Sequence, residues 1–239
     1  MDDDAAYSRT QLLADAYRIA WPIMAGYVVL GLPCGLLAQQ AGLNWVMVLL
    51  MSALYYSGVG QFMVSNMLLA GNPLVAIMAS VSLVSTRQLL YASSLARWCA
   101  NASAPLVALF AATVTDESYG VNVARFERGG YSVRQATCVN VLCQASWVAG
   151  SVAGNVVGAA VSFPTAIASF AMTSIFICLL CSQERNAENA VAVLAGAAGV
   201  IACKCAGASG AAVLVGALAG VGCALAYGAV RDAWKARRP

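Results

Sequence analysis

The sequence predicts an all-α fold: a polytopic transmembrane helical bundle of about eight membrane-crossing helices. Three observations carry that prediction. Of 239 residues, 61% are hydrophobic and only 10% are charged. An average soluble domain has about a quarter charged residues, and a sphere of this size could not hide so much apolar surface from water. Second, no Asp, Glu, Lys or Arg occurs from Ile19 to Thr86, a run of 68 residues, and further uncharged runs extend from Gln135 to Gln183 and from Cys205 to Val230. A bilayer core takes about 20 apolar residues per helix, so the first two runs each hold more than one span. Third, the runs are continuous Leu, Val, Ala and Gly. Barrel strands would alternate polar with apolar residues.

Turn residues divide the runs in order. The first span, 19–41, ends at Ala41-Gly42-Leu43-Asn44. It carries Gly31, Pro33 and Gly35 near its middle, and a mid-helix proline frees a carbonyl, so a break is expected there. The second, 45–70, ends before Gly71-Asn72-Pro73, and Ser57-Gly58-Val59-Gly60-Gln61 predicts a break in it too. The third, 73–96, precedes the polar stretch from Asn101 to Pro105. The fourth, 105–122, contains Asp116 and Glu117 and ends before the charged loop at Gly129-Gly130. The fifth and sixth, 133–160 and 164–182, are split by Ser162-Phe163-Pro164. The seventh and eighth, 188–203 and 209–230, are separated by a short polar stretch from Lys204 to Gly210. The domain reading is an N-terminal segment 1–18, one transmembrane domain 19–231 and a basic tail 232–239. Both flanking segments are expected to be cytoplasmic. The acidic start lacks a signal peptide's basic region, so the first apolar run is expected to be retained.

The loop charges orient the bundle. With eight crossings, Arg9, Arg18, Arg125, Arg128, Arg185, Arg231, Lys235, Arg237 and Arg238 share one side, with Arg134 at its edge. Only Arg97 and Lys204 fall on the other. That is a positive-inside asymmetry with both termini cytoplasmic. A re-entrant 105–122 is the alternative.

Composition also excludes functions. There is no histidine, so His catalysis, a His proton relay and a His metal site are ruled out. Most of the nine cysteines lie in apolar runs, Cys34, Cys138, Cys143, Cys178, Cys181, Cys203 and Cys223 among them, where free thiols act as small hydrophobes. No metal and no cofactor is expected, and the net charge of +3 lies in termini and one loop, so no nucleic-acid partner is expected either.

What remains is the polar residues at membrane depth, which mark function by default. Arg87 is expected roughly 14 Å deep, and Asp116 and Glu117 roughly 17–18 Å deep, at 1.5 Å per helical residue. One acid can pair with Arg87 while the other stays protonatable. Broken helices at that depth place backbone dipoles around a substrate. Gly150-x-x-x-Gly154-x-x-x-Gly158 and Gly216-x-x-x-Gly220 read as close helix packing. Trp21, Trp45, Trp98 and Trp234 read as interface anchors, and Trp147 as core.

At these residues the sequence resembles the AzlC family, large subunits of bacterial branched-chain amino acid exporters. Ser57-Gly58-Val59-Gly60-Gln61-Phe62 is similar to its F-A-G-A-S-Q-F motif. Arg87-Gln88-Leu89-Leu90-Tyr91 is similar to N-x-R-H-x-L-Y-G, and Thr115-Asp116-Glu117-Ser118-Tyr119 to T-D-E-T/S-F/Y. Gly31-x-x-x-Gly35 precedes them in register, and the likeness covers about 19–125. Gln88 replaces the family's His, Ser85 its Asn and Ala92 its Gly. The resemblance implies no enzyme, but a transporter subunit exporting leucine, isoleucine and valine, with methionine a further candidate, across the bacterial inner membrane. It also implies an AzlD-type small hydrophobic partner subunit. Proton coupling is plausible on the two acids. In this reading Gly58, Gly60, Gln61, Arg87, Gln88 and Tyr91 bind substrate, and Asp116 and Glu117 bind its ammonium or the coupled proton. Three alternatives stay open: a transporter or channel for another small polar solute, a structural subunit of a membrane complex, and a membrane enzyme, the last disfavoured by Asp116 being the sole Asp inside a span.

Overall fold

The computed structural model describes residues 9–161, 186–207 and 212–236, with isolated positions between 170 and 181. All regular elements among them are helical. Apart from those isolated positions, the expected span 164–182 falls outside the described residues, as does the side chain of Trp234. The chain forms two compact units. One comprises residues 1–69 and 84–172, the other 70–83 and 173–239.

The first unit is built on two long helices, α1 (Arg9–Gln40) and α7 (Val133–Ala160). They lie side by side and parallel. A Cβ on Gly31 would sit 2.9 Å from the Ser151 amide nitrogen, and one on Gly35 2.6 Å from that of Asn155. Conversely, a Cβ on Gly150 would sit 2.9 Å from the Val28 carbonyl oxygen, and one on Gly154 would overlap the Leu32 carbonyl. The two helices therefore meet backbone to backbone, as small residues allow in membranes. This corrects the expected break of the first helix. α1 is continuous through Gly31, Pro33 and Gly35, and its two glycines serve close approach to α7. Asn155 adds a polar tie, donating from Nδ2 to the Leu43 carbonyl at 2.9 Å.

In chain order between α1 and α7 come α2 (Trp45–Leu54), α3 (Gly58–Leu69), α4 (Leu74–Leu95), α5 (Ala104–Ala112) and α6 (Asp116–Arg128), with α4 belonging to this unit from residue 84 onward. Asn44 starts α2 by accepting the Met47 amide. α2 runs antiparallel to α7: Leu43 meets Asn155, and Ala53 meets Gln144. α3 runs parallel to α1: Tyr56 meets Tyr27, and Gln61 meets Cys34. The pair is thus a hairpin that enters and leaves at the Gln40 end of α1. At 10 and 12 residues, the arms are about 15 and 18 Å long, too short to cross a core about 30 Å thick.

α5 and α6 form a second hairpin, entering from the opposite end. α6 runs parallel to α4, since Asp116 meets Arg87, Tyr119 meets Tyr91, and Phe126 meets Trp98. α5 leads in from the short turn after Trp98 to the break at 113–115. Phe126 anchors the hairpin, stacking on Trp98 at 5.1 Å and meeting Phe110 and Tyr131 edge-on. Leu95, Cys99, Val114, Val133 and Ala136 complete this buried cluster.

The all-α bundle stands, but two of its eight expected crossings, 45–70 and 105–122, are hairpins that turn back. The physical reason is local. Tyr55–Ser57 and Thr113–Thr115 interrupt helices too short to span alone. One consequence is that Arg97 moves. It meets Glu127 at 3.6 Å, at the same end of the first unit as Arg18, Arg125 and Arg128, and not on the opposite side from them.

Expected α7 boundaries match the helix observed. Its start carries a capping box, in which Ser132 accepts the Gln135 amide and Gln135 accepts the Ser132 amide. Trp147 is core, at 3% exposure. Trp21 and Trp45 are exposed, as anchors should be, whereas Trp98 is half-buried on Phe126. Cys34 and Cys143 are buried, Cys138 and Cys203 half-buried, and Cys181 and Cys223 exposed. Cys178 falls outside the described residues.

In the second unit, α8 (Ala187–Cys205) and α9 (Ala212–Ala236) run antiparallel. Glu188 pairs with Arg231 at 2.7 Å. A Cβ on Gly216 would lie 2.9 Å from the Gly196 carbonyl oxygen, and one on Gly220 2.8 Å from that of Ala192. The Gly216-x-x-x-Gly220 motif is therefore a packing face.

Candidate functional site

The two hairpin tips meet halfway along α1. At the first tip, Tyr55–Ser57, the helical ladder stops and carbonyls are freed. Buried carbonyls need donors, and three glutamine side chains supply them. Gln144 Nε2 donates to Ala53 at 2.9 Å, Gln61 Nε2 to Tyr55 at 2.7 Å, and Gln88 Nε2 to Tyr56 at 3.0 Å. Gln61 is fully buried, and its Oε1 accepts from Ser52 Oγ at 3.1 Å and Trp147 Nε1 at 3.0 Å. Its amide is thus committed to holding the break.

The glycines after the tip have steric reasons. The Tyr55 hydroxyl lies over Gly60, where any Cβ would collide with it, and a Cβ on Gly58 would sit 3.0 Å from the Trp147 ring. The Tyr55 hydroxyl is bonded to Ser85 Oγ at 2.7 Å. Ser85 and Gln88, two departures from the family motif, therefore both fasten the first tip.

A prediction follows for Gln88. Gln88→Leu removes the donor to the Tyr56 carbonyl, at an expected cost of about 1–3 kcal/mol. The unfolding temperature in detergent should fall accordingly. Gln88→His restores a ring N–H and should recover most of the loss at neutral pH. A leucine variant as stable as the parent would show that this bond holds nothing.

The second tip, Thr113–Thr115, is organised by a capping box. Thr115 Oγ1 accepts the Ser118 amide and Ser118 Oγ accepts the Thr115 amide. Asp116 and Glu117 then occupy the first turn of α6, where the helix dipole favours negative charge. The Tyr27 hydroxyl donates to Glu117 Oε2 at 2.6 Å and bonds Thr115 Oγ1 at 2.7 Å. The Tyr27 ring meets Trp147 edge-on at 5.6 Å and Tyr56 at 6.2 Å, joining the two tips.

Arg87 faces the second tip. Its Nη1 pairs with Asp116 Oδ2 at 2.9 Å. The other atoms of that pair matter more. Arg87 Nε and Asp116 Oδ1 are both buried and have no hydrogen-bond partner. A cationic donor and an anionic acceptor are thus left half-satisfied side by side. Tyr91 stacks on Tyr119 at 4.7 Å, beside the Asp116 carboxylate.

The residues expected to form a site therefore divide. Arg87, Tyr91, Asp116 and Glu117 come together. Gln61, Gln88, Gly58 and Gly60 form the adjacent tip. Gly31, Pro33 and Gly35 belong to α1, two of them against α7. Tyr27, Tyr55, Tyr56, Thr115 and Gln144 were not anticipated. Thr115 and Ser118 at the spacing of an N-cap and its N3 partner, with acids between, were the available signal for a helix start.

The family model described as AzlC protein matches residues 22–161. A membrane protein of Helicobacter pylori (strain ATCC 700392 / 26695), described as uncharacterized, is 31% identical over 176 residues, 73% of this chain and 77% of its own. The branched-chain amino acid transport protein AzlC of Bacillus subtilis (strain 168) is 29% identical over 199 residues, 79% of this chain and 75% of its own. The inner membrane protein YgaZ of Escherichia coli (strain K12) is 26% identical over 221 residues, 90% and 88% of the two chains. No solved structure matches. The family match runs from Pro22 to Val161, through both hairpins and every residue of the site; this membrane protein belongs to the AzlC family.

Proposed function

We propose that the chain is the large subunit of a proton-coupled secondary transporter. It exports leucine, isoleucine and valine, with methionine a further substrate, across the bacterial inner membrane. A small AzlD-type membrane subunit is its partner, and both termini are cytoplasmic. The transmembrane domain extends over 19–231, between the N-terminal segment 1–18 and the tail 232–239.

The observation that carries this reading is the half-satisfied pair, Arg87 Nε beside Asp116 Oδ1. An amino acid is a zwitterion. Its carboxylate fits the free guanidinium donor and its ammonium the free carboxylate oxygen. The α3 N-terminus at Gly58 adds a positive dipole end free of acidic residues. Tyr27, Tyr56, Tyr91 and Trp147 offer apolar ring faces. Glu117, tied to Tyr27 rather than to Arg87, is the group that exchanges the proton. Each hairpin connects the site to one end of the bundle. Withdrawing one hairpin opens one side only, as alternating access requires. The name of the Bacillus subtilis relative, branched-chain amino acid transport protein AzlC, supports the substrate class.

The test is valine and leucine flux in proteoliposomes holding this chain and its partner. Asp116→Asn should weaken substrate affinity by about 10- to 150-fold, the loss of one charge-assisted contact of about 1.5–3 kcal/mol. Glu117→Gln should flatten the dependence of flux on the pH gradient while substrate still binds. Flux unchanged in both variants would refute the coupling role. Saturation separates a carrier from a channel, whose flux would rise linearly with substrate.

A further inference from the structure

A second polar site lies at the other end of α6 from the acids. The start of α1, the end of α6 and the loop into α7 line a half-open cavity of about 340 Å³. Arg18, Arg125 and Arg128 line it, together with Asp15, Tyr131 and Gln135. Three basic residues thus line it with one acidic residue. None of the three is in an ion pair among the described residues. Arg125 and Arg128 are one turn apart on α6, and Arg18 approaches from α1, so the cations converge from two helices.

The rest of the wall is fixed and neutral. Tyr131 donates to Asn122 Oδ1 at 3.1 Å, and Asn122 donates to Asn140 Oδ1 at 3.0 Å. Burial pushes the Tyr131 phenol up, with Arg125 pulling it back, so it adds no negative charge. Gly129 and Gly130, at φ 77 and 69, turn the chain along the rim. That left-handed pair favours glycine. Gln135 brings in the first turn of α7, a positive dipole end.

The cavity also has a depth marker. Tyr17 and Trp21, 45% and 55% exposed, meet at 5.8 Å on α1, flanking Arg18. Exposed Tyr and Trp mark the headgroup level of a bilayer.

We propose that this cavity binds a phosphate-bearing anion, and that its position makes the phosphodiester of an anionic phospholipid the source. Guanidinium forks match phosphate oxygens two at a time, and basic pockets between membrane helices hold anionic headgroups. A bound phosphate would tie the end of α6 to α1. This site is separate from Arg87 and Asp116, so it stands or falls independently of the transport reading.

The experiment uses the purified full-length chain in detergent. Binding is followed by native mass spectrometry and thermal unfolding, with added phosphatidylglycerol, phosphatidylcholine or inorganic phosphate. Phosphatidylglycerol should bind and raise the unfolding temperature, and phosphatidylcholine should not. Arg18→Gln, Arg125→Gln and Arg128→Gln should each weaken binding about fivefold, the value of one basic residue near an anionic surface. Arg134→Gln, at the same end but not lining the cavity, should leave binding unchanged. An equal effect of millimolar inorganic phosphate, lost in the triple variant, would keep the phosphate site and reassign its source to a soluble anion. Absence of any anion effect, or an effect that survives the triple variant, would overturn the proposal.

Discussion

Arg87→Ala is expected to reduce branched-chain amino acid flux to background at every pH, rather than to shift its pH dependence. Two losses combine. The substrate carboxylate loses its donor, about 1.5–3 kcal/mol for a charge-assisted bond, or about 10- to 150-fold in affinity. Asp116 also loses its partner at 2.9 Å. An orphaned carboxylate in a fully buried pair costs about 3–5 kcal/mol. Here the side chains are 29% and 23% exposed, so the cost to the fold is smaller. Arg87→Lys separates the two effects. Lysine keeps a cation for Asp116 but has no Nε beside a fork. It should therefore unfold near the parental temperature and still transport poorly. A lysine variant with full flux would mean that Arg87 only locks two helices together. Flux is measured in proteoliposomes with the proposed partner subunit, and stability by unfolding in detergent.

Gly154→Ala is expected to have the largest effect on the fold. A Cβ there overlaps the Leu32 carbonyl. An added methylene in a tight core costs about 1–3 kcal/mol. The obstacle here is a helix backbone, which cannot rotate aside as a side chain can, so the upper end or beyond is expected. α1 and α7 must separate, and with them the Tyr27–Trp147 contact that joins the tips. Loss of folded protein in detergent is the readout. Gly26→Ala is the matched control, since its Cβ would meet nothing within 4 Å. That variant should be as stable as the parent or slightly more so. If both alanine variants behave alike, the backbone contact is not what holds α1 to α7.

Much of the fold was legible because hydrophobic runs and turn residues speak for themselves. The bounds of α7 follow from its apolar run between Gly129-Gly130 and Ser162-Phe163-Pro164. The site's charges were legible for the same reason: Arg87, Asp116 and Glu117 interrupt apolar sequence. Three features were misread, namely the break in the first helix and the crossings 45–70 and 105–122. Gly31, Pro33 and Gly35 suggested a break, but glycine in a membrane helix signals either a break or a close neighbour. The neighbour, Gly150 to Gly154, lies about 120 positions away, and only the folded chain pairs the two motifs. The span 105–122 was long enough to pass for one helix. Its interruption rests on Thr115 and Ser118 capping α6, a local preference that hydropathy does not register. The identity of the glutamines as backbone donors was not legible at all. Gln144 and Ala53 are joined across 91 positions.

Those glutamines set the first tip apart from the second. Gln61, Gln88 and Gln144 carry no titratable group, and neither do the carbonyls they hold. The three bonds that hold the first tip are therefore the same in mildly acidic as in mildly alkaline solution. A histidine at position 88 would place a second cation beside Arg87 once the pH fell below about 6.5. This chain, with no histidine anywhere, has one acid-blind hairpin and one bearing carboxylates. Carboxylates are thereby confined to the second tip, while the first is held by amides and carbonyls that do not titrate.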